Sequence, residues 1–226
     1  MSVSSERIGL ARTLVGGQNG RSLDVSVLDR GVVGVASMAF EWPSEALQRV
    51  PMSFEEWEAL PEEVRAEWIH GVALVNPPPA VRHQYIVAEL RERFKYALPG
   101  LVAVQEVAVR TAERRYRIPD VTVMRELPED PVWATDAPVI VAEILSPATR
   151  REDQLRKTGE YLTAGIGQYW VVDPEHEELT VLRASRETDV TAWETALELG
   201  GEQRTGEVSV GDHGTVAIDL DTLFGQ

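Results

Sequence analysis

The chain is 226 residues long, 43% hydrophobic and 26% charged, with a net charge of −15 and no cysteine. That length builds one substantial domain, or one domain with a tail, and the missing cysteines exclude disulfides and thiolate metal sites. No run approaches the roughly 18 apolar residues of a membrane span, and residues 1–20 hold no apolar signal core, so a cytoplasmic protein without a membrane association is expected.

Residues 1–50 read as a poorly ordered N-terminal extension, with a linker-like Gly16-Gly17-Gln18-Asn19-Gly20 and Met38 as an alternative start; residues 51–226 read as the folded domain. Order is expected from Ser53. Ser53 and Glu56 have capping-box spacing, and Phe54, Trp57 and Leu60 form a short apolar stripe, which predicts a brief helix. Residues 67–75 follow as a hairpin turning at His70-Gly71 and stopped by Pro77-Pro78-Pro79. A helix is predicted over residues 81–97, where Ile86, Leu90 and Phe94 recur every four positions and Leu98 continues the row.

Three strands are predicted next, over residues 101–110, 116–124 and 138–145, the last a continuous apolar run of the kind found in central strands. A helix over residues 150–164 should start from a Thr149/Glu152 capping box and stop before Gly165. Residues 168–172 and 179–183 are strands joined through Asp173-Pro174, and weaker strand signals lead to a terminal Leu220-Asp221-Thr222-Leu223-Phe224 segment. The order helix, three strands, helix, strand predicts an α/β fold with a restriction-endonuclease-like αβββαβ core. That core is a mixed central sheet flanked by helices, here with extra C-terminal strands.

Asp120 follows Pro119 within one predicted strand, and Glu143 lies near the end of the next. If those strands are neighbours, the two carboxylates can converge on a hard divalent cation, which takes oxygen ligands. The competing reading makes each a solvent-exposed or turn-capping acid. Lys157 is one helical turn after Asp153 and one before Tyr161, on a helix that begins just past the Glu143 strand. There it could orient an attacking water, or it could form a surface ion pair with Asp153 worth well under about 1 kcal/mol. Only two of the 22 basic residues are lysine, Lys95 and Lys157. In a chain otherwise committed to arginine, a lysine can serve compact point-charge chemistry or remain by chance. The net acidity speaks against general nucleic-acid affinity. However, residues 80–170 carry 13 basic and 13 acidic side chains, so the excess lies outside the motif region.

Several segments together resemble the Uma-type restriction endonuclease family of the PD-(D/E)xK nuclease superfamily, over residues 52–224. They are Glu67-Trp68-Ile69-His70-Gly71, His83, Arg117-Ile118-Pro119-Asp120-Val121 and Ala142-Glu143-Ile144-Leu145-Ser146-Pro147-Ala148-Thr149-Arg150, then Asp153, Lys157, Tyr161, Gly165-Ile166 and Tyr169-Trp170-Val171-Val172-Asp173-Pro174. The resemblance implies a Mg²⁺- or Mn²⁺-dependent endonuclease acting on DNA, a homodimer by analogy, with Asp120 and Glu143 as metal ligands and the Ile144 carbonyl as a further one. The usual pattern puts its lysine two residues after the acid, where this chain has Leu145, so the catalytic lysine role passes to Lys157. Glu67 is either a third carboxylate near the metal or a strand-end acid outside the site.

Arg150 and Arg151, with Arg114 and Arg115, are candidate phosphate contacts. His70, His176 and His213 lack metal-ligand spacing and read as turn or surface histidines, while His83 reads as a helix-start residue bonded to backbone. The six tryptophans are too scattered along the chain for a base-stacking platform. The alternative to an enzyme is a degraded nuclease fold that binds nucleic acid or protein, motivated by Leu145 and the acidic surface.

Overall fold

A computed structural model describes residues 47–61, 63–129, 133–150, 152–187 and 190–226; the expected N-terminal extension falls outside these up to residue 46. Described structure begins before Ser53, because β1 (Gln48–Pro51) pairs antiparallel with β3. Helix α1 (Phe54–Glu58) has the expected capping box: the Ser53 hydroxyl accepts from the Glu56 amide, and the Glu56 carboxylate from the Ser53 amide. β2 (Ala66–Ile69) and β3 (Val72–Val75) form the hairpin, with His70 (φ 48°) and Gly71 (φ 90°) making its turn. Helix α2 (Val81–Ala97) follows as predicted, burying Ile86, Val87, Leu90 and Phe94.

The next two predicted strands each divide. Residues 101–110 become β4 (Val102–Gln105) and β5 (Ala108–Ala112), broken at Glu106 with φ 54°. Residues 116–124 become β6 (Arg115–Arg117) and β7 (Val121–Met124), broken around Pro119, which has no N–H to give to a ladder. The two breaks face each other, since the Glu106 amide donates to the Asp120 carbonyl at 3.3 Å. An uninterrupted apolar alternation thus conceals a chain that leaves one sheet and enters another. After β8 (Trp133–Ala134), the central strand β9 (Ile140–Ile144) is buried at every position.

The helix predicted over residues 150–164 starts with a π-helical turn (Glu152–Lys157) and continues as α3 (Thr158–Thr163), with Gly165 at φ 81° just beyond. Its cap is Ser146, whose hydroxyl accepts from the Thr149 amide at 3.2 Å and whose carbonyl accepts from the Arg150 amide. The Thr149/Glu152 box does not form, because the Glu152 carboxylate is drawn away by Arg117 and Arg49. The remaining elements are β10 (Gln168–Asp173), β11 (Glu178–Glu187), β12 (Val190–Leu199), β13 (Thr205–Ser209), β14 (Thr215–Asp219) and α4 (Leu220–Phe224).

Among the described residues there are two six-stranded sheets, ordered β1-β3-β2-β6-β5-β8 and β12-β11-β10-β9-β7-β4, and a separate β13-β14 pair. In the second sheet β9 and β10 are parallel and the other neighbours antiparallel. The succession α2, β4, β7, β9, α3, β10 is the expected αβββαβ core, and β11 to β14 are the extra C-terminal strands. The period-2 alternation decides the layers. Ile140, Ala142 and Ile144 join Val121, Val123, Trp170 and Val172 in the core packed on α2. Val141 and Tyr169 point the other way, against Tyr161 and Ile166 at the α3 end.

Candidate active site

The β7–β9 register pairs Val121 with Ala142, so Asp120 and Glu143 are the next residues across the same strand pair. Both are buried. The Ile144 amide, one residue past Glu143, donates to Asp120 Oδ2 at 2.7 Å and fixes the carboxylate against the neighbouring strand. Arg65 donates to Asp120 Oδ1 at 2.6 Å, and His83 Nε2 of α2 lies 3.3 Å from Oδ2. Burial alone would raise the Asp120 pKa, but the His83 and Arg65 contacts outweigh it and hold the group well below the usual carboxylate range.

Glu143 has the opposite balance. Lys157 Nζ at 2.8 Å and the Tyr161 hydroxyl at 2.6 Å both donate to its Oε1. Even so, burial, with the Asp153, Asp120 and Glu67 carboxylates around it, outweighs Lys157 and pushes Glu143 up to about 8. The one nearby ammonium does not offset that burial. Lys157 is itself shared, its ammonium lying 2.8 Å from Glu143, 2.9 Å from Glu67 and 2.9 Å from Asp153. Burial opposes its charge, but the attraction of these three carboxylates raises its pKa well above that of a free lysine.

Behind this centre lies a buried ionic frame. The Arg117 side chain, wholly inaccessible to solvent, gives Nη1 to Glu67 at 2.8 Å, Nη2 to Glu152 at 3.0 Å and Nε to Glu160 at 2.7 Å. Glu67 also accepts from the Ile118 amide at 3.1 Å. Although burial pushes the Glu67 pKa up, Lys157 and Arg117 hold it at about 2. Asp153, on the π-helical turn, is buried and shifted upward by that burial, while the Tyr169 hydroxyl caps its backbone carbonyl at 3.0 Å.

Glu67, Asp120, Glu143 and Lys157 therefore come together from β2, the β6–β7 connection, β9 and the π-helical turn. The Asp153–Lys157 contact is a buried part of this cluster, unlike the surface pair the sequence also allowed. His83 does not bond to backbone at its helix start; it faces Asp120. Arg65 also belongs to the site, and its one sequence signal is its place two residues before Glu67. Arg150 grips Asp173 and Glu175 at 2.9 Å each, Arg115 lies 3.5 Å from Glu160, and the Arg114 guanidinium is 5.7 Å from the Trp68 ring centre. Arg151 lies outside the described residues. The tryptophans, scattered in sequence, partly converge: Trp57, Trp68 and Trp133 cluster with Phe54 and Tyr116 at ring distances of 5.1–6.4 Å, a packing cluster in which Trp57 and Trp68 are buried.

The donor set of Asp120, just before β7, and Glu143, on β9, is carboxylate oxygen within an excess of buried negative charge, which suits a hard divalent cation. Two protein carboxylates leave most of such a cation's coordination to water, as Mg²⁺ prefers. Among the described residues, one group brings three potential ligand atoms within 4.8 Å of one another: Asp173, Glu175 and His176, on the β10–β11 turn. Its acids are already engaged by Arg150, and His176 Nδ1 lies 2.9 Å from Asp173, as expected of a turn histidine.

Residues 52–216 match the family described as Uma2, "Putative restriction endonuclease". The chain belongs to this family. The Uma2 match takes in Glu67, Asp120, Glu143 and Lys157 and supports a nuclease function, that of a hydrolase acting on nucleic acid. No curated protein matches the chain. Among solved structures it is similar to "a putative nuclease belonging to DUF820" from Anabaena variabilis, with a TM-score of 0.60 and 23% identity over 77% of this chain and 98% of that one. That likeness confirms the nuclease fold with its additional strands. No helix among the described residues is long and apolar enough to cross a membrane.

Proposed function

We propose that this Uma2 protein is a Mg²⁺- or Mn²⁺-dependent endonuclease that hydrolyses DNA phosphodiester bonds. Asp120 and Glu143 would hold the ion and Lys157 would secure Glu143. The observation that carries this reading is the placement of Asp120, just before β7, beside Glu143 of the neighbouring β9, with the Lys157 ammonium 2.8 Å from Glu143. A divalent ion bound there supplies Lewis acidity, polarising a phosphate and lowering the pKa of a water.

The protein groups have separable tasks. Lys157 and Tyr161 both donate to Oε1 of Glu143, so its other oxygen is the one Glu143 would offer a cation. Three carboxylates surround the ammonium of Lys157, so this lysine acts first as a positioning residue for Glu143. Glu67 sets the height of Lys157 and is itself clamped by Arg117. A homodimer would present two such sites to the two strands of a duplex. The absence of cysteine suits a reducing cytoplasm.

The test is cleavage of supercoiled plasmid with Mg²⁺ or Mn²⁺ by the parent, Asp120→Ala and Lys157→Ala. Nicked and linear products from the parent, absent in both variants, support the proposal. A second reading has its own support in Leu145, which takes the usual lysine position, and in the crowding of Lys157 by carboxylates. It is a fold that binds nucleic acid or protein without cutting. Retained metal binding with no cleavage of any DNA or RNA would favour that reading over the endonuclease.

A further inference from the structure

Asp120 already has a counter-ion. Arg65, in the connection before β2, is anchored through its carbonyl by the Asn76 amide at 2.9 Å. From there its Nη2 reaches Asp120 Oδ1 at 2.6 Å and the Ile118 carbonyl at 3.4 Å, while Nη1 lies 3.5 Å from Glu106 Oε1. Its Nε is buried without a hydrogen-bond partner, so the guanidinium is held by its two terminal nitrogens alone. Glu106 is fixed next to Asp120, because its amide donates to the Asp120 carbonyl at 3.3 Å, and Gln84 Nε2 donates to its carboxylate at 3.3 Å. One arginine thus bridges two carboxylates: Asp120, which is buried, and Glu106, which is more than a third exposed.

A guanidinium this close to Asp120 occupies charge that a divalent ion would need, and the two cations repel each other in a site of low dielectric. We infer that Arg65 is the resident cation that a divalent metal displaces from Asp120, and that Glu106 retains the displaced guanidinium at the rim of the site. Metal binding is then an exchange, with an affinity set by how readily Arg65 gives up Oδ1. The released guanidinium stays at the rim on Glu106, with Nη2 and Nε, the donors Glu106 does not hold, available for the anionic oxygens of a phosphodiester. This inference rests on the reading of Asp120 as a metal ligand.

The measurement is calorimetric titration of the full chain with Mn²⁺, with circular dichroism melting of each variant as a folding control. Arg65→Gln should bind Mn²⁺ about tenfold more tightly than the parent, the factor that corresponds to losing one charge-assisted hydrogen bond. Glu106→Gln should bind it more weakly, because the guanidinium then has only Asp120. Methylguanidinium at sub-denaturing concentration should weaken Mn²⁺ binding to Arg65→Gln while leaving the parent unchanged, a competition that a merely structural arginine would not produce. Should Arg65→Gln unfold, Arg65→Met, which keeps the apolar stem without the charge, should still bind more tightly than the parent. Mn²⁺ binding that Asp120→Asn abolishes but both Arg65 variants leave equal or weaker overturns the exchange alone. No binding by the parent or any variant overturns the exchange together with the metal reading.

Discussion

Replacing Arg117 with methionine should destabilise the protein by about 3 kcal/mol near neutral pH. Removing one partner of a buried ion pair costs about 3–5 kcal/mol, because the other charge is left without compensation. The Arg117 side chain is fully inaccessible and serves Glu67, Glu152 and Glu160 at 2.7–3.0 Å. The low end of the range applies, because Lys157 still reaches Glu67 and Arg49 still reaches Glu152, each at 2.9 Å. Methionine keeps most of the volume, so little of the loss comes from a cavity. For a chain of this size the melting temperature should fall by roughly 6–12 °C. Urea titration followed by tryptophan fluorescence should show a lower midpoint with an unchanged slope. The deficit must also depend on pH. Glu67 is held at about 2 when folded, against an ordinary value of 4.5. Its contribution is therefore complete above 4.5 and is lost as pH falls from there towards about 2. The gap between parent and variant should narrow over that window. A deficit under about 1 kcal/mol, or one that stays constant as the pH is lowered, would refute the assignment of Arg117 as the counter-ion of this frame.

Glu143 gives the opposite pH dependence: its folded pKa of about 8 lies above the ordinary 4.5, so the metal-free protein should lose stability as pH rises between the two. Scanning fluorimetry should accordingly show Mg²⁺ raising the melting temperature more at pH 8 than at pH 5, and equal shifts would count against Glu143 as a ligand. Gly167→Ala should cost about 1–3 kcal/mol through overpacking, since a Cβ there would meet the Val139 carbonyl oxygen at 2.8 Å just before paired β9 and β10, and a melting temperature within error of the parent would contradict that contact.

The elements with strong periodicity were legible from the residues alone. The four-residue recurrence of Ile86, Leu90 and Phe94 yields α2 with its predicted limits, and the apolar run ending at Leu145 yields β9. Of the two strand breaks, the one at Pro119 has a local signal in the missing N–H, whereas the one at Glu106 has none. Residues 101–110 read as one strand, since the break at Glu106, with φ 54°, has no glycine to announce it. Similarly, Thr149 and Glu152 have the spacing of a cap, but a buried arginine far away in sequence competes for the glutamate and wins. In the site, the acids and the lysine could be named from order and resemblance, whereas Arg65 and Arg117 could not. An arginine's partners depend on which strands meet, and the chain has 20 arginines to choose among.

The π-helical turn explains how Lys157 reaches Glu143 from the helix that follows β9. Asp153, Lys157 and Tyr161 must all face the Glu143 strand, yet residues four apart on an α-helix drift by about 40° per step around the axis. Two such steps would carry one end of the trio away from the sheet. The wider i to i+5 hydrogen bonding of Glu152–Lys157 rotates its four-residue step in the other sense, and the α-helical step from Lys157 to Tyr161 then cancels most of it. Hence Asp153 Oδ1 and Glu143 Oε1 both lie within 2.9 Å of Lys157 Nζ, while the Tyr161 hydroxyl reaches the same Glu143 oxygen. A lysine in place of Leu145 would extend from the strand beside Glu143 itself. One on this turn is tied to Glu67 as well, which couples the first sheet to the second through a single ammonium. The same tie gives the lysine its rigidity and limits its freedom to reach a substrate, so Lys157 is built to hold Glu143 in place.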